Sequence, residues 1–150
     1  MRISAFRVVL ALATVVIIAA IATNRWSQPA CTALNGLRTL SVKLDGLAPG
    51  KVRSFCYRDR VGERLRFLLA RDSSGKVHAV FDACQQCYKF HKGYTWSHGY
   101  LVCRLCGNRY PIKNVKVGEA SCVPVPLASK LAGGKVTIKV ADVMAGQWLF

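Results

Sequence analysis

Acidic residues are what this sequence has least of. Seven Asp and Glu stand against 22 Lys and Arg in 150 residues, a formal net charge of +15. Carboxylates are therefore scarce as general acids and bases. No Ser/His/Asp set, no paired carboxylates and no phosphate-binding glycine loop occur, so hydrolase chemistry has no support. Beyond residue 24 no segment keeps a helical period, and no low-complexity tract interrupts the chain. A length of 150 residues suits one ordinary domain rather than two.

One apolar run stands out. Val8–Thr23 is sixteen residues without a charge. A spanning helix needs roughly 17–25. Phe6 extends the run if Arg7 snorkels to the headgroups, and Trp26 stands where an interfacial anchor would. The rival reading is a cleavable signal, with Arg2 and Arg7 as its charged region and a small-residue site before Thr23. "SQPAC" lacks the apolar residue that a lipoprotein signal needs at Cys31. The expectation is an uncleaved, single-pass anchor in the inner (cytoplasmic) membrane. A short basic tail normally stays inside, which sends the rest to the extracytoplasmic side.

Residues 1–23 are thus read as anchor, 24–38 as a linker containing Pro29, Asn35 and Gly36, and 39–150 as one mainly β domain. "TLSVKLDG" alternates Leu40, Val42 and Leu44 against polar residues, hence a strand. "RSFCYR" is a second. "RLRFLLA" and "KVHAVFDA" flank the turn-rich "RDSSG" and read as a hairpin. "GYLV" and "RYPI" are short strands, and "KVTIKV" alternates Val136, Ile138 and Val140. The fold class is mainly β: one N-terminal transmembrane helix, then a small β-rich domain with a Cys-rich metal-binding loop region.

Five of the seven cysteines fall at 84, 87, 103, 106 and 122, giving C-x2-C-x15-C-x2-C-x15-C. A CxxC turn presents two thiolates on one side of a tight loop. Two such turns complete a tetrahedron around one ion. Cys84, Cys87, Cys103 and Cys106 are therefore the expected ligands. Gly107 lets the second turn bend back toward its sulfur. Thiolates of this kind hold zinc, a single iron, an iron–sulfur cluster or copper(I). The bland alternative is two disulfides or free thiols. No βαβ unit supports thioredoxin-like chemistry, and no His follows either pair, as covalent haem would need. His91 and His98 do not have Rieske spacing and read as loop residues; His78 reads as structural. Cys122, in "ASCVPVP", is open to four readings: cap, replacement ligand, redox thiol or plain buried cysteine. Cys31 and Cys56 could pair outside the cytoplasm, closing a loop worth roughly 3–4 kcal/mol.

The segments "RFLLARDSSGKVHAVFDACQQCY", "KGY", "LVCRLCGNRYPI", "SCVPVPL" and "KVTIKVADV" together resemble the FtrD-like membrane iron–sulfur-containing proteins. The resemblance runs over roughly Arg64–Phe150. It implies a membrane protein with an iron site attached to Cys84, Cys87, Cys103, Cys106 and Cys122, associated with iron uptake and an iron-permease component.

Three functions follow. The first is a non-enzymatic redox module passing single electrons. The second is a binding module stapled by structural zinc. The third is a thiol- or copper-handling protein. Between Ala83 and Gly118 lie Lys89, Lys92, Arg104, Arg109, Lys113 and Lys116 and no acid. That bias suits an acidic redox partner, such as a soluble cytochrome or cupredoxin, or anionic lipid. Nucleic-acid binding fits the charge, but an anchored chain argues against it.

Overall fold

The computed structural model describes residues 30–115 and 122–150. The expected anchor, Val8–Thr23, lies outside the described residues. Among those residues, no helix is long and apolar enough to cross a membrane.

The strands are β1 (Thr32–Leu34), β2 (Thr39–Lys43), β3 (Lys51–Arg58), β4 (Arg64–Arg71), β5 (Val77–Cys84), β6 (Tyr94–Ser97), β7 (Tyr100–Cys103), β8 (Arg109–Pro111), β9 (Pro124–Pro126), β10 (Lys130–Ala132) and β11 (Lys135–Lys139), followed by the short helix α1 (Val140–Met144). They form three sheets, ordered β1-β3-β4-β5-β9, β10-β11-β2 and β6-β7-β8. All pairs are antiparallel except β1 with β3.

The first sheet is the centre of the molecule. Leu65 through Ala70 on β4 are all buried. A strand covered on both faces reads as a continuous apolar run, as "LRFLLA" nearly does. Leu65, Phe67 and Leu69 meet Phe55, Ala79 and Phe81, then Leu40 and Val42 from β2 and Val136 and Ile138 from β11. Leu68, Ala70, Val80 and Cys84 belong to a second core with Tyr94, Leu101, Cys103 and Tyr110 of the third sheet. One side of the central sheet thus builds the main core, and the other carries the cysteine-bearing hairpins.

The expected strands are present, and β4 and β5 form the expected hairpin. Its turn is organised by Asp72, whose Oδ1 accepts from the Ser74 and Lys76 backbone N–H groups and the Ser74 hydroxyl. Gly75 completes the turn at φ 86°. His78 Nε2 lies 2.9 Å from Asp72 Oδ2, a structural role as read from the sequence. Hydrogen bonds from Ser74 first, then His78, hold the Asp72 carboxyl far below the usual range. A depressed carboxylate pKa stabilises the fold above the unfolded value and loses that contribution as pH falls below about 4. Asp72→Asn is expected to flatten the acid limb of the stability profile, as read by thermal unfolding between pH 3 and 7.

Two boundaries differ from the sequence reading. Part of the expected linker is folded: Thr32–Leu34 adds a parallel edge strand to β3, beside the disulfide Cys31–Cys56 with Cα atoms 5.7 Å apart. Three residues carry too little alternation to be read as a strand; pairing and the crosslink hold them. Val140 opens α1 rather than ending β11, its N–H donating to the Arg38 carbonyl at 2.9 Å. Tyr94–Ser97 was too short and mixed to be read as β6.

Candidate metal centre

Three chain segments bring cysteines to the outer edge of the second core. β5 ends at Cys84, and the chain turns at once to Cys87. The Cys87 backbone N–H donates to Cys84 Sγ at 3.0 Å, so the turn supports its own sulfur. A 3-10 turn over Tyr88–Phe90 follows. The β6-β7 hairpin then delivers Cys103, and a second tight turn runs to Cys106. Its closure uses Cys103 N–H to the Asn108 carbonyl at 3.0 Å and Gly107 N–H to the Cys103 carbonyl at 2.9 Å. Gly107 adopts φ 76°, the left-handed conformation the turn requires. Cys122 arrives from the segment preceding β9.

The Sγ atoms of Cys84, Cys87, Cys103 and Cys122 all lie within 4.8 Å of one another. Cys122 Sγ sits 3.3 Å from Cys87 Sγ and 3.4 Å from Cys103 Sγ. Cys84 and Cys122 are bonded as a disulfide, their Cα atoms 5.4 Å apart. Holding a metal through both requires two-electron reduction of that bond to two thiolates. Cys106 is exposed and stands outside this group of four, although its thiol interacts with Cys87 and Cys103. Of the four ligands expected from the CxxC pairs, three are therefore in the mutual cluster. The fourth place in it goes to Cys122, one of the roles the sequence had left open.

The clustered thiols shift one another's acidity. Burial first, then the neighbouring Cys103 and Cys106, pushes the Cys87 thiol up to about 11. A bound metal reverses that preference, because the thiolate is the ligand and its proton is released. Burial works to raise Cys106 too, but hydrogen bonds from the Asn108 N–H and from Cys103 and Cys87 leave it lowered. An all-thiol donor set sharing one small volume fits iron, an iron–sulfur centre or zinc.

A buried polar frame holds these segments in place. Asp82, two residues before Cys84, is 1% exposed. Its Oδ1 accepts from the Tyr94 N–H at 2.7 Å, and its Oδ2 lies 3.9 Å from Nε of the equally buried Arg66. Burial pushes the Asp82 carboxyl up to about 6 against the pull of Tyr94, Arg66 and Arg104. Arg66 in turn donates to the His91 carbonyl at 2.9 Å. Tyr94 completes the frame, its hydroxyl donating to the Cys122 carbonyl at 2.8 Å. Burial holds that phenol far above its usual pKa, so it stays a neutral donor. Tyr94 thus ties the carboxylate beneath the first CxxC turn to the backbone of Cys122.

Gly93 explains the "KGY" motif. It adopts φ 65°, and a Cβ there would run into the Asp82 carboxylate. The sequence named neither Asp82 nor Tyr94 as part of the site. The available signal was Asp82 itself, a carboxylate in an apolar strand just before a stretch with no acid. Tyr94→Phe removes one buried hydrogen bond, worth about 1 kcal/mol. It is expected to lower stability by that order and to raise the alkylation rate of Cys122 in the reduced apoprotein, read by mass spectrometry.

None of the three histidines belongs to the sulfur group. His91 and His98 are exposed loop residues at φ 50° and 46°. Lys89, Arg104, Arg109 and Lys113 are exposed on this side of the molecule, and Lys116 lies outside the described residues. Phe90 and Leu105, flanking Cys87 and Cys106 in the chain, are exposed apolar residues among them.

The family described as membrane iron-sulfur containing protein FtrD-like matches residues 47–150, more than half of the chain. The chain belongs to this family. The FtrD-like match begins further toward the N-terminus than the motifs that carry the resemblance, and takes in β3 and the whole central hairpin. An iron–sulfur cofactor is the family's property, and the soft, all-sulfur group fits it. No curated protein matches the sequence. Among solved structures, the ferredoxin of carbazole 1,9a-dioxygenase from Nocardioides aromaticivorans IC177 is 18% identical, with 68% of this chain and 94% of that chain covered and a TM-score of 0.45. The apo form of the quaternary ammonium Rieske monooxygenase CntA is 12% identical, with 72% and 33% covered and a TM-score of 0.46. Neither likeness is close enough to transfer a ligand or a role.

Proposed function

We propose that this FtrD-like chain is a membrane-anchored electron-transfer module, serving iron uptake through a cysteine-held iron or iron–sulfur centre. The observation that carries the reading is the convergence of four sulfurs from three chain segments into one small volume. Cys84, Cys87, Cys103 and Cys122 would hold the centre, with Cys106 at its exposed side. Such a centre supplies one-electron exchange. The chain's own contribution is to bury Cys84, Cys103 and Cys122 and half-bury Cys87, to hold Cys122 through Tyr94, and to seat the first turn on Asp82.

Placement outside the inner membrane is supported by the Cys31–Cys56 disulfide, which lies apart from the proposed ligands, since such bonds persist in oxidising compartments. The basic stretch Ala83–Gly118, which contains no acid, suits an acidic redox protein. Redox encounters are small and weak, and they gain rate from opposite charge.

The test is stopped-flow oxidation of the reduced, iron-loaded protein by an acidic cytochrome or cupredoxin. The rate is expected to fall as salt shortens the Debye length to about 8 Å and below, and to fall again in Arg104→Glu and Lys89→Glu. A colourless protein that binds zinc and has no reducible metal would favour the structural-staple reading instead. A rate indifferent to salt and charge reversal would remove the acidic partner.

A further inference from the structure

The second sheet carries its own charge pattern, away from the cysteines. β2 and β11 turn Leu40, Val42, Val136 and Ile138 into the core. The alternate residues Thr39, Ser41, Lys43, Lys135, Thr137 and Lys139 therefore face outward. Register places Lys135 directly opposite Lys43, and Lys139 opposite Thr39. Exposed Lys130 on β10 joins them opposite Thr137. No carboxylate occupies any of these positions. Like charges directly opposite each other weaken a sheet, so the pattern costs stability unless something anionic covers it.

A large apolar residue lies two positions before the start of β2 in the chain. Leu37 is 95% exposed. Its neighbour Arg38 is fixed at the end of the sheet, where the Arg38 carbonyl accepts from the Val140 N–H beside Lys139. A projecting leucine would be a poor feature of a purely electrostatic protein interface. At a bilayer it enters the acyl boundary while lysines and backbone-flanking hydroxyls meet the headgroups. The chain length agrees. Only the seven residues 24–30 separate the apolar run from Cys31, which is crosslinked to β3. Fully extended they reach roughly 23–25 Å, so an anchor at Val8–Thr23 keeps the domain against the surface.

We propose that the face formed by Lys43, Lys130, Lys135 and Lys139, with Leu37 as its apolar finger, docks on the anionic lipid surface of the bilayer and orients the thiol centre relative to it. This face shares no residue with the cysteine site and does not depend on which metal is bound.

The experiment is pulsed lysine acetylation of the full chain reconstituted in lipid nanodiscs with and without phosphatidylglycerol, read residue by residue by mass spectrometry. Lys43, Lys135 and Lys139 are expected to label about fivefold more slowly in the anionic discs. High salt should remove that protection, and labelling of Lys89 and Lys113 should not change. Combined Lys43→Glu, Lys135→Glu and Lys139→Glu substitution should abolish protection at Lys130 with the circular dichroism spectrum intact. Leu37→Asp, which leaves the lysines in place, should reduce it. Equal labelling in both discs overturns the proposal. So does protection confined to Lys89 and Lys113, failure to associate with either disc, or stronger protection by a soluble acidic protein than by the bilayer.

Discussion

Cys87→Ser and Cys103→Ser proteins are each expected to purify with at least about tenfold less iron than the unaltered chain and to lose its visible absorption. Even outer-shell partners of a metal are worth about 10–100-fold in affinity, and a ligand is worth no less. These two positions are the strongest choices because both sulfurs contact Cys122 on one side and interact with Cys106 on the other. Whichever cysteine closes the set, these two belong to it. Comparing Cys122→Ser with Cys106→Ser then identifies the closing ligand. The geometry expects the greater iron loss from Cys122→Ser, since Cys122 is buried in the group of four and Cys106 is exposed outside it. The opposite order would return the fourth place to Cys106, as the CxxC spacing alone suggests. Full iron retention in Cys87→Ser and Cys103→Ser together would refute a thiolate centre here. Iron by mass spectrometry and the absorption spectrum are the readouts.

Gly93→Ala is the second large effect, and it contains no metal chemistry. Alanine at φ 65° is strained, a cost of roughly 1–3 kcal/mol. The added methyl also meets Asp82, whose Cγ would lie 2.7 Å from it. Asp82 cannot easily retreat, because the Tyr94 N–H and Arg66 hold it in a buried position. Overpacking of that kind costs a further 1–3 kcal/mol or so. The sum is about 2–6 kcal/mol, a large share of the roughly 5–15 kcal/mol that a domain has. Chemical denaturation should show a much lower midpoint, and iron content should fall with it. A midpoint within experimental error of the unaltered protein would mean that the Gly93 loop does not rest on Asp82.

Much of the architecture was legible because the relevant physics is local. Alternation in "TLSVK" and "KVTIK" marks half-buried strands, and both pair in one sheet. The Asp72–Gly75 turn is written in residues that make their own hydrogen bonds, so the β4-β5 hairpin could be read without tertiary information. β1 could not. Three residues, Thr32–Leu34, become a strand only because β3 offers an edge and Cys31 is tied to Cys56. β6 was missed for a related reason: "YTWS" has the right residues but too few of them, and its pairing with β7 supplies the rest.

The spacing of the cysteines determined by itself that a thiolate centre was to be expected, because each CxxC turn is a local device that presents two sulfurs on one side of a tight loop. Tertiary structure decided which sulfurs meet. Cys122 is sixteen residues beyond Cys106 in the chain, and no local rule says where that segment returns. The fold brings it between Cys87 and Cys103 because Pro124–Pro126 pairs with β5 and the Tyr94 hydroxyl holds the Cys122 carbonyl. Asp82, Gly93 and Tyr94 show the same division. Each is ordinary in sequence, and each acquires its role only when the β6-β7 hairpin folds across the end of β5, where a carboxylate cut off from water must find an N–H and the loop above it has no room for a side chain.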